Sequence, residues 1–246
     1  MKILGDYHTH TKYSKFNHGK NTIFEMVDRA EKIGLSEIAI TDHGPRHLVG
    51  IIPWKIKKAR REIDEINKTS KVKVYLGMEC NFLNFKGKTD LPKKYADLID
   101  IKIVGMHRAL FINPFTYFNF VFKNVRDKSG KYVEKNTDAY IKALEKYKFN
   151  FISHPQEYVK VNLKRLAKYC EEHNVYLELN NRHFRYTRKE IEMLVHETNV
   201  KFIVSSDAHN IFALGHVENA LKKVNEYNIP VDRIVNIEKL PDFKRN

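Results

Sequence analysis

Seven short apolar runs recur along the chain, each closing on a polar cluster, with amphipathic stretches between them. This rhythm restricts the fold more than any other feature. The runs are Lys2–Tyr7, Glu37–Thr41, Lys73–Met78, Ile101–Met106, Phe149–Ser153, Val175–Leu179 and Lys201–Ser205; the amphipathic stretches are 22–34, 53–68, 91–98, 136–148, 162–174, 187–198 and 214–227. Strand–helix alternation specifies a parallel sheet joined by crossover helices. Seven such units in 246 residues fit a closed α/β barrel, with an open doubly wound sheet as the competitor. No Pro/Gly/Ser-rich linker interrupts the chain, so residues 1–246 read as a single domain. Residues 108–135, "RALFINPFTYFNFVFKNVRDKSGKYVEK", exceed an ordinary strand-to-helix loop. They read as an extra helix packed on the side of the barrel, or as an aromatic lid over one end.

The polar clusters at the run ends carry the chemistry. The first holds His8 and His10 in "DYHTHT", with His18 in the loop beyond. The others give His43 in "ITDHG", Glu79 in "GMEC", His107 in "VGMHR", His154 in "ISHPQ", and Asp207 and His209 in "SSDAH". Seven of the 12 histidines therefore sit at or just past a strand's C-terminal end. In a parallel barrel those ends open on one face, where active sites form. The H-x-H and D-x-H pairs each put both groups on one face of a strand. If the sheet closes, strands 1 and 7 become neighbours and the two pairs can share a site, which favours closure. Imidazole is the commonest transition-metal ligand, and nine ligands at three or four per ion supply about three metals. His47, His173, His183, His196 and His216 fall in loops or helical stretches and read as ordinary residues.

Taken in order, "DYHTHT", "AITDHG", "GMEC", "GMH", "SHP" and "SSDAH" resemble the successive motifs of the PHP (polymerase and histidinol phosphatase) superfamily over about residues 3–215. The resemblance implies a distorted (β/α)7 barrel with a metal cluster at the C-terminal face of the strands. It assigns His8, His10, Glu79 and Asp207 to one metal. Glu79 would bridge to a second on His107 and His154, and His18, His43 and His209 would hold a third. The ions implied are divalent, zinc first, with manganese or iron as alternatives.

The activity implied is phosphomonoester hydrolysis by a metal-bridging hydroxide, of the histidinol-phosphatase kind, with Glu79 and Asp207 indispensable. A PHP-type nuclease or phosphodiesterase is the competing reading, and a non-enzymatic metal-binding domain the third. Lys12, Arg46, Arg108 and Arg182 adjoin the ligand positions; Arg108 and Arg182 are the preferred phosphate clamps, because a guanidinium fork matches phosphate oxygens. Asn180 or Asn181 is expected to contact the substrate or a metal-bound water.

Forty-four Lys+Arg against 30 Asp+Glu leave a formal charge of +14. That excess favours anionic partners, a small phosphorylated substrate first and nucleic acid second, or is simply a solvated lysine-rich surface. The most apolar stretch, 109–122, is too short to span a bilayer. With no secretory leader pattern, the expectation is a cytoplasmic protein with no membrane partner. Cys80 and Cys170 lack C-x-x-C spacing and read as reduced, structural thiols. Oligomeric state is not legible.

Overall fold

The computed structural model describes residues 1–243. Seven parallel strands follow one another in sequence order: β1 Gly5–Thr9, β2 Glu37–Ile40, β3 Lys73–Asn81, β4 Ile101–Gly105, β5 Phe151–Ile152, β6 Tyr176–Asn180 and β7 Phe202–Ser205. Most strand residues are buried, as expected for a parallel sheet covered on both faces. Inside the curl of the sheet, Tyr7, Ala39, Ile101, Ile103, Phe151, Tyr176 and Ile203 pack on one another and fill its lower part. The larger core lies between the sheet and the surrounding helices.

The seam between β7 and β1 makes the barrel nearly closed rather than regular. At its upper end, His10 N–H donates to the Ala208 carbonyl at 2.8 Å and Ala208 N–H to the His8 carbonyl at 3.3 Å. Lower down, the chain near Ile234–Ile237 fills the gap. There the Asn236 side chain accepts from Val204 N–H and donates to the Gly5 and Val204 carbonyls. One buried amide thus satisfies backbone groups that an open seam would leave unpaired.

The helices start and stop on local signals. Thr22 and Glu25 form a capping box at the start of α1 (Ile23–Ile33), and Gly34 ends it at φ 72°, a left-handed conformation glycine adopts without penalty. The others are α2 Ile56–Ile66, the short α3 Pro114–Thr116 and α4 Lys123–Arg126, then α5 Val133–Tyr147, α6 Leu163–Glu172, α7 Arg188–Glu197 and α8 Glu218–Glu226. A π-helical stretch, Tyr117–Phe122, joins α3 to α4 into one insert helix.

The long segment 108–135 is thus the extra helix, held against the barrel by Phe120 and Val121 rather than draped as a lid. Other elements differ from the sequence reading. Residues 93–98 form a 3-10 helix, β5 is only two residues long, β1 runs from Gly5 to Thr9 and β3 extends to Asn81. His8 and Glu79 therefore lie within their strands rather than beyond them. The pairing of β1 with β2 also shifts register between Asp6 and Thr9, an irregularity of the kind that re-aims side chains beside functional sites.

Candidate metal centre

All nine residues singled out by the strand-end pattern converge at the C-terminal mouth. Glu79, at 0% exposure, lies at the centre. Its Oε2 is 3.3 Å from His8 Nε2, 3.7 Å from His10 Nε2 and 2.8 Å from His43 Nδ1. Its Oε1 is 2.7 Å from His154 Nε2 and 3.3 Å from His107 Nε2. Asp207 Oδ1 lies 3.4 Å from His10 Nε2 and 3.8 Å from His8 Nε2. His18 Nε2 and His209 Nε2 face each other at 2.7 Å.

Donor atoms within metal-binding reach fall into three groups: His10, His18, His43 and His209; His8, His10 and Asp207; and His43, Glu79 and His107. The division differs from the one the motifs imply: His10 and His43 each belong to two groups, and His154, 2.7 Å from Glu79 Oε1, belongs to none.

The backbone is bent to achieve this. His154 sits at φ 28° and Asp207 at φ 56°, conformations that side chains other than glycine rarely adopt and that cost roughly 1–3 kcal/mol each. Strain kept at two of the nine cluster positions is strain kept for placement. Gly105 makes room nearby, since a Cβ there would lie 2.8 Å from the His154 ring.

Electrostatics sharpen the fit to cations. Burial would raise the carboxyl of Glu79, but His8, His107 and His43 outweigh it and hold the group well below the usual carboxylate range. Asp207 is likewise held well below, burial being outweighed by His8 and His10. Burial, reinforced by His209, pushes His10 down to about 3 and His18 to about 4. His43 is also well below its ordinary value, mainly through burial. These imidazoles are neutral at pH 7, with a lone pair available. His8 goes the other way: burial lowers it, but Glu79, Glu178 and Asp207 together hold it well above.

His8 Nε2, His10 Nε2, His43 Nδ1 and Glu79 Oε2 are buried and make no hydrogen bond. Buried polar atoms left without a partner are costly unless something else satisfies them. Neutral imidazoles mixed with ionised carboxylates are the donor set of divalent transition metals.

A supporting shell surrounds the nine. Glu178, fully buried in β6, lies 2.7 Å from His8 Nδ1 and accepts from the His154 backbone N–H and from Ser205 Oγ. Fixing the Nδ1 proton aims His8 Nε2 at the cluster. Asp42 accepts from Thr11 N–H at 2.8 Å and Thr11 Oγ1 at 2.6 Å, and from Ser14 Oγ, tying the loop that carries His18 to the end of β2.

His47 was read as ordinary but is buried and stacks on His43 at 4.1 Å. His183, also read as ordinary, borders the same cavity of about 200 Å³, with Nε2 3.8 Å from Asp207 Oδ2 and Nδ1 3.4 Å from Glu157.

The expected phosphate-facing groups divide. Arg182 NH1 lies 2.6 Å from His209 Nδ1 and 3.3 Å from the Asp207 carbonyl, at the cavity wall. Arg108 is exposed, its guanidinium 4.5 Å from the centre of the Tyr158 ring, which lines the cavity. Lys12 is exposed, 3.9 Å from Glu25, as a surface charge would be. Asn180 donates to Glu178 and, at 3.3 Å, to Asp207 Oδ2, and accepts from the backbone of Arg182 and His183, while Asn181 accepts from Ala220 N–H at the start of α8.

A family model described as PHP domain matches residues 6–182. The chain belongs to the PHP domain family. β7, and Asp207 and His209 just after it, lie beyond the matched span and complete the mouth. A protein described as "Probable phosphatase" from Shewanella piezotolerans is 30% identical over 247 residues, covering 96% of this chain and 90% of that protein. A "Probable phosphatase" from Thermoanaerobacter sp. is 29% identical, covering 97% and 92%.

Among solved structures, histidinol phosphate phosphatase from Lactococcus lactis, complexed with zinc, L-histidinol and phosphate, has a TM-score of 0.59 at 14% identity, covering 94% of this chain and 95% of that one. A chain of archaeal ribonuclease P with mature tRNA has a TM-score of 0.51 at 13% identity, covering 92% and 84%. At these identities the structures attest the PHP-type barrel alone.

Glu178→Gln is expected to weaken metal binding by about 10–100-fold while the barrel stays folded, the usual effect of losing a ligand-orienting carboxylate. Titration against a chromophoric chelator measures it, and unchanged affinity would mean that Glu178 does not orient His8.

Proposed function

We propose that this PHP domain, residues 1–246 acting as one unit, is a metal-dependent phosphoesterase that hydrolyses small phosphomonoesters. The observation that carries the reading is Glu79: a fully buried carboxylate with both oxygens turned to imidazole nitrogens, some of whose lone pairs have no protein donor. We assign His8, His10, Glu79 and Asp207 to one ion, Glu79, His107 and His154 to a second, and His18, His43 and His209 to a third, with zinc as the favoured metal. The relatives described as phosphatases support the phosphoesterase reading, and the zinc and phosphate bound by the Lactococcus protein agree with a divalent metal and a phosphorylated substrate.

Divalent ions, when bound, supply Lewis acidity, neutralising phosphoryl oxygens and making water a nucleophile near neutral pH. The chain's own groups do the rest. Glu178 holds the Nδ1 proton of His8, so that His8 Nε2 faces the cluster. Arg182, which lines the cavity, and Arg108, stacked on Tyr158 beside it, are the guanidinium groups proposed to pair with phosphoryl oxygens. The cavity of about 200 Å³ suits a phosphoryl group with a small leaving group better than a polymer threaded through it.

Turnover of p-nitrophenyl phosphate but not of bis-p-nitrophenyl phosphate or single-stranded DNA is the expected result; ladder products from DNA would replace this reading with the nuclease. Arg108→Ala and Arg182→Ala are each expected to raise KM about tenfold or more, since a hydrogen bond to a charged group contributes roughly 1.5–3 kcal/mol. Arg182→Ala should also lower kcat, because Arg182 touches His209. Steady-state kinetics of the two variants separate the effects, and unchanged KM in both would remove them from the substrate site.

A further inference from the structure

The exposed aromatic side chains are not scattered. Among the described residues, every exposed phenylalanine and Trp54 lie on a segment leading from a strand's C-terminal end into the next helix, or in that helix's first turn. Single exposed apolar residues need no explanation, but their gathering on one side does.

The insert helix is the centre of this arrangement. One face holds it to the protein: Phe120, Val121 and Asn124 are buried, Phe120 meets Phe85 at 4.9 Å, and Asn136 donates to Asn124 at 2.8 Å. The opposite face is also apolar, and none of the described residues covers it. Phe115 is 79% exposed, Phe118 53% and Val125 37%, and Phe122 stacks on Phe118 at 4.8 Å.

Cations flank that stripe. Lys123 and Arg126 lie on the helix, the latter with its guanidinium 4.3 Å from the Phe122 ring centre, and exposed Lys128 and Lys131 follow directly. The one acid among residues 114–131, Asp127, is occupied by Ser129 and the Tyr132 N–H. A helix with phenylalanines on one face and Lys/Arg beside them is the pattern of segments that lie in the headgroup region of a bilayer.

We propose that the insert helix docks this protein on an anionic lipid surface, with Phe115 and Phe118 entering the acyl boundary and Lys123, Arg126, Lys128 and Lys131 pairing with lipid phosphates. Charge complementarity selects this occupant. A second copy would bring the same cations together on chains that each carry +14. A single-stranded nucleic acid would want separate ring faces for its bases, whereas Phe118 and Phe122 cover each other and Val125 has no ring. Among the described residues no helix is long and apolar enough to cross a membrane, but an interfacial helix does not need to be.

The test is co-sedimentation of the full chain with vesicles of equal parts phosphatidylglycerol and phosphatidylcholine, beside vesicles of phosphatidylcholine alone. Binding to the anionic vesicles, weakened by salt, is expected, with at least about a tenfold loss in F115E/F118E and in K128E/K131E. All four side chains are exposed and outside the metal centre, so hydrolysis of p-nitrophenyl phosphate in vesicle-free buffer should be unchanged in both variants. Absence of vesicle binding at low salt, or binding that both variants retain, overturns the proposal. So does a dimer that F115E/F118E dissociates, or binding to a single-stranded oligonucleotide lost in the same variants without vesicle binding by the parent.

Discussion

Glu79→Gln is expected to cut kcat/KM for p-nitrophenyl phosphate by about a thousandfold or more, with secondary structure retained. A metal site contributes several kcal/mol of transition-state charge stabilisation, and each ~1.4 kcal/mol is tenfold in rate. Gln matches Glu in volume but replaces an anionic oxygen with an NH2 donor. Whichever way the amide turns, that donor meets either the His107 and His154 side or the His8, His10 and His43 side. One proposed ion site would lose its carboxylate, and with it the proposed bridge. Circular dichroism and metal content measured beside the kinetics separate this loss from unfolding. A variant that kept full activity and full metal content would show that Glu79 is not the bridge.

Chelation is expected to abolish turnover and to destabilise the fold, both reversed by added divalent metal. An ion that binds only the folded chain stabilises it by about 2.7 kcal/mol per site at a hundredfold excess over Kd. At this chain length each kcal/mol moves Tm by roughly 2–4 °C. Emptying two or three sites should therefore lower Tm by roughly 10 °C or more. The metal-free cluster also leaves buried acceptors such as His10 Nε2 and Glu79 Oε2 unsatisfied, which adds to the loss. Thermal melts with and without chelator measure it; an unchanged Tm and undiminished turnover after exhaustive chelation would mean that the cluster holds no metal of consequence.

The strand-end histidines were legible in the sequence because barrel topology turns a linear regularity into a spatial one. Every parallel strand delivers its C-terminal residues to the same mouth, so position along the chain was enough to bring His8, His154 and His209 together. What lies between strands was not legible in that way. Glu178 reads as one polar residue in "VYLELN"; its sole signal is a carboxylate in the middle of an otherwise apolar run, which a buried strand tolerates only with a partner. That its partner is His8, 170 residues earlier, depends on how the barrel closes. His47 and His183 sit in loops whose course no periodicity describes, yet both reach the mouth.

The seam was hidden for a related reason. Closure was inferred from strands 1 and 7, while the gap below their contact is filled by Asn236, a residue in no strand. The insert helix shows the reverse case: its length was visible as an anomaly, but which aromatics would be buried and which left outside required the structure.

The most direct test of the account is the divalent-metal content of the purified chain, measured by inductively coupled plasma mass spectrometry on the preparation used for p-nitrophenyl phosphate kinetics. Three tightly held ions per chain are expected. A preparation that hydrolyses the monoester at full rate with no bound divalent metal would contradict it.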